Sequence, residues 1–154
     1  GWYGHPSGRC RCSAKDVRRY QGRISGPLLD RIDIIVEVPA LEYDELKRKE
    51  PAESSAEIKK RVDAARQIQR RRYSGDGTMC NARITGRALS EVCRITDEGE
   101  ELLRMAFDTM HMSARSYDRI LRVSRTIADL AGSDTIESEH IAEAVQYRSY
   151  DFEA

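Results

Sequence analysis

An arginine in the first turn of a helix is poorly placed unless an anion comes to it, because the free N–H groups there already carry partial positive charge. Arg115 holds that position, two residues beyond a serine, Ser113, whose hydroxyl is placed to cap a helix. Arg119 and Arg122 follow at i+4 and i+7, so three guanidinium groups run down one face. A forked guanidinium beside unpaired backbone N–H groups is a receptor for phosphate or carboxylate. The competing reading of this pattern is a solvated polar face.

A second arginine has a different setting. The run Ser25-Gly26-Pro27-Leu28-Leu29-Asp30-Arg31-Ile32-Asp33 holds Arg31 between one helical turn and an apolar, β-branched stretch. A guanidinium fixed in that way suits reaching into a neighbour's phosphate site, where it stabilises charge developing during phosphoryl transfer. Spacing alone favours the plainer reading, a surface ion pair with Asp30 or Asp33.

Other clusters carry less. Cys10-Arg11-Cys12, with His5 nearby, supplies two thiols that could ligate Zn2+ if two more ligands converged. Cys80 and Cys93 read as small core residues. Arg70-Arg71-Arg72, after Arg66, could meet nucleic-acid phosphates, yet most such runs are a solvated helix end, where cations suit the dipole. His111 and His140 have no partner at catalytic spacing. Tyr117 and Tyr147 read as core or boundary aromatics rather than stacking platforms.

The elements that must position these groups can be read from caps and periodicity. The first twelve residues form a Gly-rich irregular loop. Ser13 caps a short helix reaching about Tyr20. Beyond Gly26-Pro27, Ile32-Asp33-Ile34-Ile35-Val36-Glu37-Val38 is the one convincing strand, stopped by Pro39. A lone strand cannot satisfy its own backbone, so its sheet neighbours must lie elsewhere. From Ser54 the chain reads as helical: one helix to about Tyr73, broken by Ser74-Gly75-Asp76-Gly77, then helices near Gly86 to Cys93, Thr96 to Met110, Ser113 to Ala131 and Glu137 to Tyr147. On the fourth of these, Tyr117, Ile120, Leu121, Ser124, Ile127, Ala128 and Ala131 form an apolar stripe, and Gly132 stands at the C-cap. The predicted fold is therefore mainly α. Residues 1–40 hold a loop, a short helix and one strand, 41–53 a linker, and 54–154 a helical bundle.

Composition sets outer limits. At 154 residues the chain holds one domain with an appendage, and 26 basic residues cancel 26 acidic ones. No global field then favours nucleic acid or an anionic membrane, and any polyanion contact is local. No stretch has the ~20 apolar residues a membrane span needs. Four cysteines, two of them too close to bridge easily, with no secretory signal, point to a reducing cytoplasm. The opening Gly1-Trp2-Tyr3-Gly4 lacks a starting Met and reads as a chain entered in mid-loop, so the functional unit is expected to be larger.

Several of these segments carry a family resemblance. Arg23-Ile24-Ser25-Gly26-Pro27-Leu28-Leu29-Asp30-Arg31-Ile32-Asp33 and the run after it resemble the second half of the AAA+ module in magnesium-chelatase-like, competence-associated ATPases. Ser113-Ala114-Arg115-Ser116-Tyr117-Asp118-Arg119-Ile120-Leu121, with Ala128-Asp129-Leu130-Ala131-Gly132, resembles the lid helix of that family, and His140-Ile141-Ala142-Glu143-Ala144-Val145-Gln146-Tyr147-Arg148 its ending. The resemblance implies that residues 1–40 are the remnant of an AAA+ α/β core with one lone strand and that residues 54–154 are the helical lid. It implies that Arg31 is an arginine finger acting on the adjacent subunit, with Arg23 a second inter-subunit candidate. It further implies that Arg115 is the sensor-2 residue touching the γ-phosphate, with Arg119 beside it. ATP, Mg2+, a homo-oligomeric ring (a hexamer) and cytoplasmic location follow for the full-length protein, with either DNA processing in competence or recombination or a chelatase-type role, between which the sequence does not choose.

The family's Walker A loop, Walker B carboxylates and sensor-1 Asn would lie upstream, and no Gly-x4-Gly-Lys-Ser/Thr pattern occurs here. By itself this chain is expected to be inactive, with no ligand or metal bound. The family also suggests a Cys-Pro-Cys-Gly segment just before Gly1, which would make Cys10 and Cys12 half of a zinc site in the full-length protein. Two rivals remain at this stage. One is a non-catalytic helical module that binds a partner protein, and the other an independent DNA-binding helical domain.

Overall fold

The computed structural model describes residues 2–39, 41, 43, 47, 52–75 and 80–148. The chain divides into two units, residues 1–50 with 150–154, and residues 51–149. The expected linker, 41–53, lies mostly outside the described residues, as do Asp76, Gly77 and the last six positions.

In the first unit, helix α1 (Ala14–Gln21) begins where the Ser13 hydroxyl accepts from the Asp16 N–H. Helix α2 (Gly26–Leu29) is a single turn after Ser25, with Pro27 in its first turn, where a missing N–H costs nothing. Val17 is the buried apolar residue of this unit among those described. The strand expected at 32–38 is not formed, which corrects that part of the sequence reading. The segment carries no helix and no ladder pairing. Ile34, Val36 and Val38 stand exposed, Val38 by 84%. β-branched residues favour an extended backbone, but a strand exists only when a neighbour takes its N–H and C=O groups, and no described residue does so.

Among its described residues the second unit is mainly helical, as expected. Helices α3 (Ser55–Arg72), α4 (Arg87–Val92), α5 (Asp97–Thr109), α6 (Ala114–Ala131) and α7 (Ser138–Gln146) follow in order, with a 3-10 turn at Asn81–Arg83. Their starts are set locally. The hydroxyls of Ser54, Thr96 and Ser113 accept from the N–H groups of Glu57, Gly99 and Ser116. At α7 His140 Nδ1 accepts from the Glu137 N–H at 3.0 Å, while the His140 N–H donates to the Glu137 carbonyl at 3.1 Å. His140 is thus a buried capping residue.

Helix α6 is the centre of the bundle and packs against α3, the 3-10 turn, α4 and α7, while α5 packs on α7. Ile120, Leu121 and Ala128 from α6 meet Tyr73, Ile84, Leu89, Cys93, Leu103, Ile136, Ile141 and Ala144 in one core. The stripe read from the sequence supplies these α6 residues, whereas Ala131 is exposed. Tyr117 packs against the core with its ring edge-on to Phe107.

Gly132 and Gly99 are among the glycines that geometry requires. Gly132 has φ +75°, and the N–H groups of Gly132 and Ser133 return to the Asp129 and Ala128 carbonyls, closing α6 in a left-handed cap. A parallel bridge, Ile136 N–H to Arg94 O and Thr96 N–H to Ile136 O, ties the α4–α5 link to the α6–α7 link. Gly99 sits beneath it, where a Cβ would come within 2.7 Å of Ile95 Cγ2.

Candidate functional site

Arg115 lies in the first turn of α6 with its side chain exposed. Because Ser113 already accepts from the Ser116 N–H at 3.2 Å, one of the free donors at this helix end is used. The remaining N–H groups and the Arg115 guanidinium still give the end a positive character. Arg148, from just after α7, donates to Ser116 Oγ at 3.3 Å, bringing a second guanidinium to the same turn. Sequence periodicity could not find Arg148 there, since the pairing spans 32 residues.

The remaining arginines of α6 do different work. Arg119 is half-buried with its Nε enclosed. Arg122 donates from Nε to the Ile84 carbonyl at 2.9 Å and lies 3.6 Å from Asp118, so it ties α6 to the residue after the 3-10 turn. The three arginines read as one polar face are therefore unequal: Arg115 is exposed, and Arg119 and Arg122 are partly packed.

Arg125, which the sequence reading passed over, is fully buried. Its Nε donates to Asp129 Oδ1 at 3.1 Å, and its Nη atoms donate to the Asp134 and Ser133 carbonyls beyond the helix end. Asp129 also receives a bidentate pair from Arg72, at 2.6 and 2.8 Å, and the Asn81 amide at 2.8 Å. Asn81 accepts from the Tyr73 hydroxyl at 2.7 Å and takes the Gln69 side-chain oxygen on its N–H. The Asp129 hydrogen bond holds Arg72 above its ordinary pKa, and burial pushes the Tyr73 phenol up. This network pins the end of α3 and the 3-10 turn to the C-terminal half of α6. It also removes Arg72 from the basic run at 70–72.

In the first unit, Arg31 is exposed directly after α2, its N–H bonded to the Leu28 carbonyl. Arg23 is exposed and stacks over the Tyr20 ring at 5.8 Å. It lines a cleft of about 520 Å3 with Tyr3, Cys12 and Asp16. Cys10 and Cys12 are both free thiols. Hydrogen bonding to Cys10 raises the pKa of Cys12. The His5 ring bonds Ser7 at 2.7 Å. Among the described residues no three His, Cys, Asp or Glu side chains converge as metal ligands would. No helix among them is long and apolar enough to cross a membrane.

Comparison with known proteins shows the family of the chain. Residues 1–46 match the family described as magnesium chelatase, subunit ChlI, and residues 52–148 match its C-terminal part. Competence protein ComM of Haemophilus influenzae is 38% identical over 148 residues, covering 95% of this chain and 28% of its own length. Protein YifB of Escherichia coli is 38% identical over 142 residues, covering 92% of this chain and 27% of its own. A protein of Mycobacterium tuberculosis is 35% identical over 139 residues, covering 90% and 27%. The chain thus spans about a quarter of the length of these relatives. With the greater part of its residues matched by the C-terminal family model, this chain belongs to the magnesium chelatase subunit ChlI family.

Proposed function

We propose that this chain is the lid and subunit-interface portion of an ATP-hydrolysing ring motor. Arg115 reads the γ-phosphate held by its own subunit. Arg31 reaches the phosphate held next door and stabilises charge in the transition state. Arg23 and Arg119 assist at the same two places. The observation that carries this reading is the contrast among arginines. Arg72 and Arg125 are locked to Asp129 and Arg122 to a carbonyl, while Arg31 and Arg115 stand exposed at element ends with no ion pair to any described residue. A guanidinium kept unpaired in that way is available to an anion supplied from outside.

ATP and Mg2+, which the family implies for the full-length protein, would meet these arginines only through the nucleotide's phosphates. Among the described residues no three His, Cys, Asp or Glu side chains converge to hold Mg2+. Loss of the γ-phosphate would remove the contact with Arg115 and shift the lid between two positions, which is how such a motor turns hydrolysis into movement. DNA as the substrate is supported by the likeness to a competence protein. The balanced charge adds nothing to it. The test is ATP turnover of the full-length protein, with and without branched or single-stranded DNA, for wild type, Arg31→Ala and Arg115→Ala. Wild-type turnover in either variant overturns that residue's assignment.

A further inference from the structure

In the helical unit, three large apolar side chains among those described remain in water: Ile58 (43% exposed), Leu130 (45%) and Met105 (60%). They fall on two surfaces of opposite charge.

Leu130 lines a groove of about 630 Å3 between α3, the 3-10 turn and α6, whose floor includes Val62, Ala65 and Ala82. Ile58 lies one turn before Val62 on α3 and extends that apolar strip. The rim carries Arg66 and Arg70, one turn apart and both exposed. The neighbouring cations are spoken for: Lys59 pairs with Asp63 and Arg61 with Glu53. Arg66 and Arg70 pair with no described carboxylate. Their field reaches Asp63, whose carboxyl is held below its ordinary range by Lys59 first and then by these two arginines.

Met105 has the opposite surroundings. On α5, Glu98, Glu101, Met105 and Asp108 follow at i, i+3, i+7 and i+10 on one exposed face, bordered by Arg104. None of the three carboxylates pairs with a described residue. No residue of α5 lines the groove, so the acidic stripe of a protomer does not occupy its own basic groove.

We propose that the α3–α6 groove takes α5 from a second copy of this chain. Met105 enters between Val62 and Leu130, and Glu101 and Asp108, on either side of it, meet Arg66 and Arg70. The complementary patch is present on the same molecule, and each half leaves an apolar side chain exposed until the two meet. A nucleic-acid strand fits less well, because the groove lining holds no aromatic ring on which a base could stack. Groove and stripe are different surfaces, so the contact is heterologous, and head-to-tail repetition closes a ring or extends a filament. Only that closure rests on the ring-motor reading. The pairing is measured without nucleotide, so its failure leaves the roles of Arg31 and Arg115 standing, and their failure leaves the pairing standing.

The test is sedimentation of the 154-residue chain at low salt over a range of concentrations. Wild type should gain mass with concentration. The charge reversals Arg66→Glu/Arg70→Glu and Glu101→Lys/Asp108→Lys, each with unchanged helical circular dichroism, should each weaken association at least about tenfold. An equal mixture of the two variants, which restores opposite charge at every contact, should associate again. A wild-type chain that stays monomeric, variants that associate as wild type does, or a mixture that stays apart would each overturn the proposal. So would Arg66-dependent capture of a single-stranded oligonucleotide by a monomer.

Discussion

Arg125 and Asp129 form an ion pair of 3.1 Å in which neither side chain is exposed to solvent. Removing two charges from water is expensive, and the geometry offsets this by giving each carboxylate oxygen two donors and each Arg125 nitrogen an acceptor. The pair sits where α6 ends. It therefore fixes the turn to α7 and the end of α3 together.

Replacing Asp129 by Ala leaves Arg125 enclosed and Arg72 half-enclosed without a carboxylate. The expected loss is about 3–5 kcal/mol of unfolding free energy, measured by urea titration. The exposed pair Arg87–Glu91 is the control: Arg87→Ala should change stability by no more than about 0.5 kcal/mol. Equal effects for the two substitutions would show that the buried network is not what holds α3 to α6.

Gly132 gives a second stability test from a single angle. At φ +75° a Cβ is strained whatever space surrounds it, and the space here is open. Gly132→Ala should therefore cost about 1–2 kcal/mol without altering the helical spectrum. Gly132→Asn, which tolerates the left-handed region better, should cost less.

These two cases show what the sequence could and could not reveal. Helix starts at Ser13, Ser54, Thr96 and Ser113 and the stop at Gly132 were readable because a cap is settled within a few neighbouring residues. Arg125 and Asp129 were not, because an Arg and Asp four apart on a helix ordinarily form a surface pair. What buries this one is Arg72, 57 residues from Asp129, with Asn81 between them. Arg72 itself was hidden in a run that looked uniformly solvated. The segment at 32–38 failed for the opposite reason: its residue types were right for a strand, but a ladder depends on a partner, which no local pattern supplies. Arg115 and Arg31 were legible as exposed arginines at element ends, and Arg148, which meets Ser116 in the same turn as Arg115, was not.

Cys93 should be the inert thiol of the helical unit. Burial pushes its pKa from 9.0 to about 11, with Arg125 pulling weakly the other way, and its Sγ lies 3.6 Å from the Leu121 carbonyl. A folded-state pKa above the unfolded value means that the stabilising, neutral thiol is fully present below pH 9. Its contribution is then lost as pH rises toward 11. Unfolding free energy should fall through that window, and Cys93→Ala should flatten that part of the profile. At pH 8 iodoacetamide should modify the exposed Cys12 well before Cys93. Equal rates would place Cys93 at the surface.

The roles proposed for Arg31 and Arg115 differ in which subunit they serve, and that difference can be measured directly. If Arg115 acts on its own subunit's nucleotide and Arg31 on the neighbour's, Arg31→Ala and Arg115→Ala each disable every site of a pure ring. An arginine finger is worth about 10^3–10^5 in turnover, so both pure variants of the full-length protein should be nearly silent. In a mixed ring, an Arg31→Ala subunit keeps its own Arg115 and can receive Arg31 from an Arg115→Ala neighbour. Random equal mixing then restores about a quarter of the sites, and ATPase activity should return to that order. Recovery requires subunit exchange, so mixing before assembly should restore activity and mixing after cross-linking should not. If the two variants remain silent together under exchange, the two arginines do not serve opposite sides of one site. If either variant is fully active alone, its arginine does not touch the phosphate.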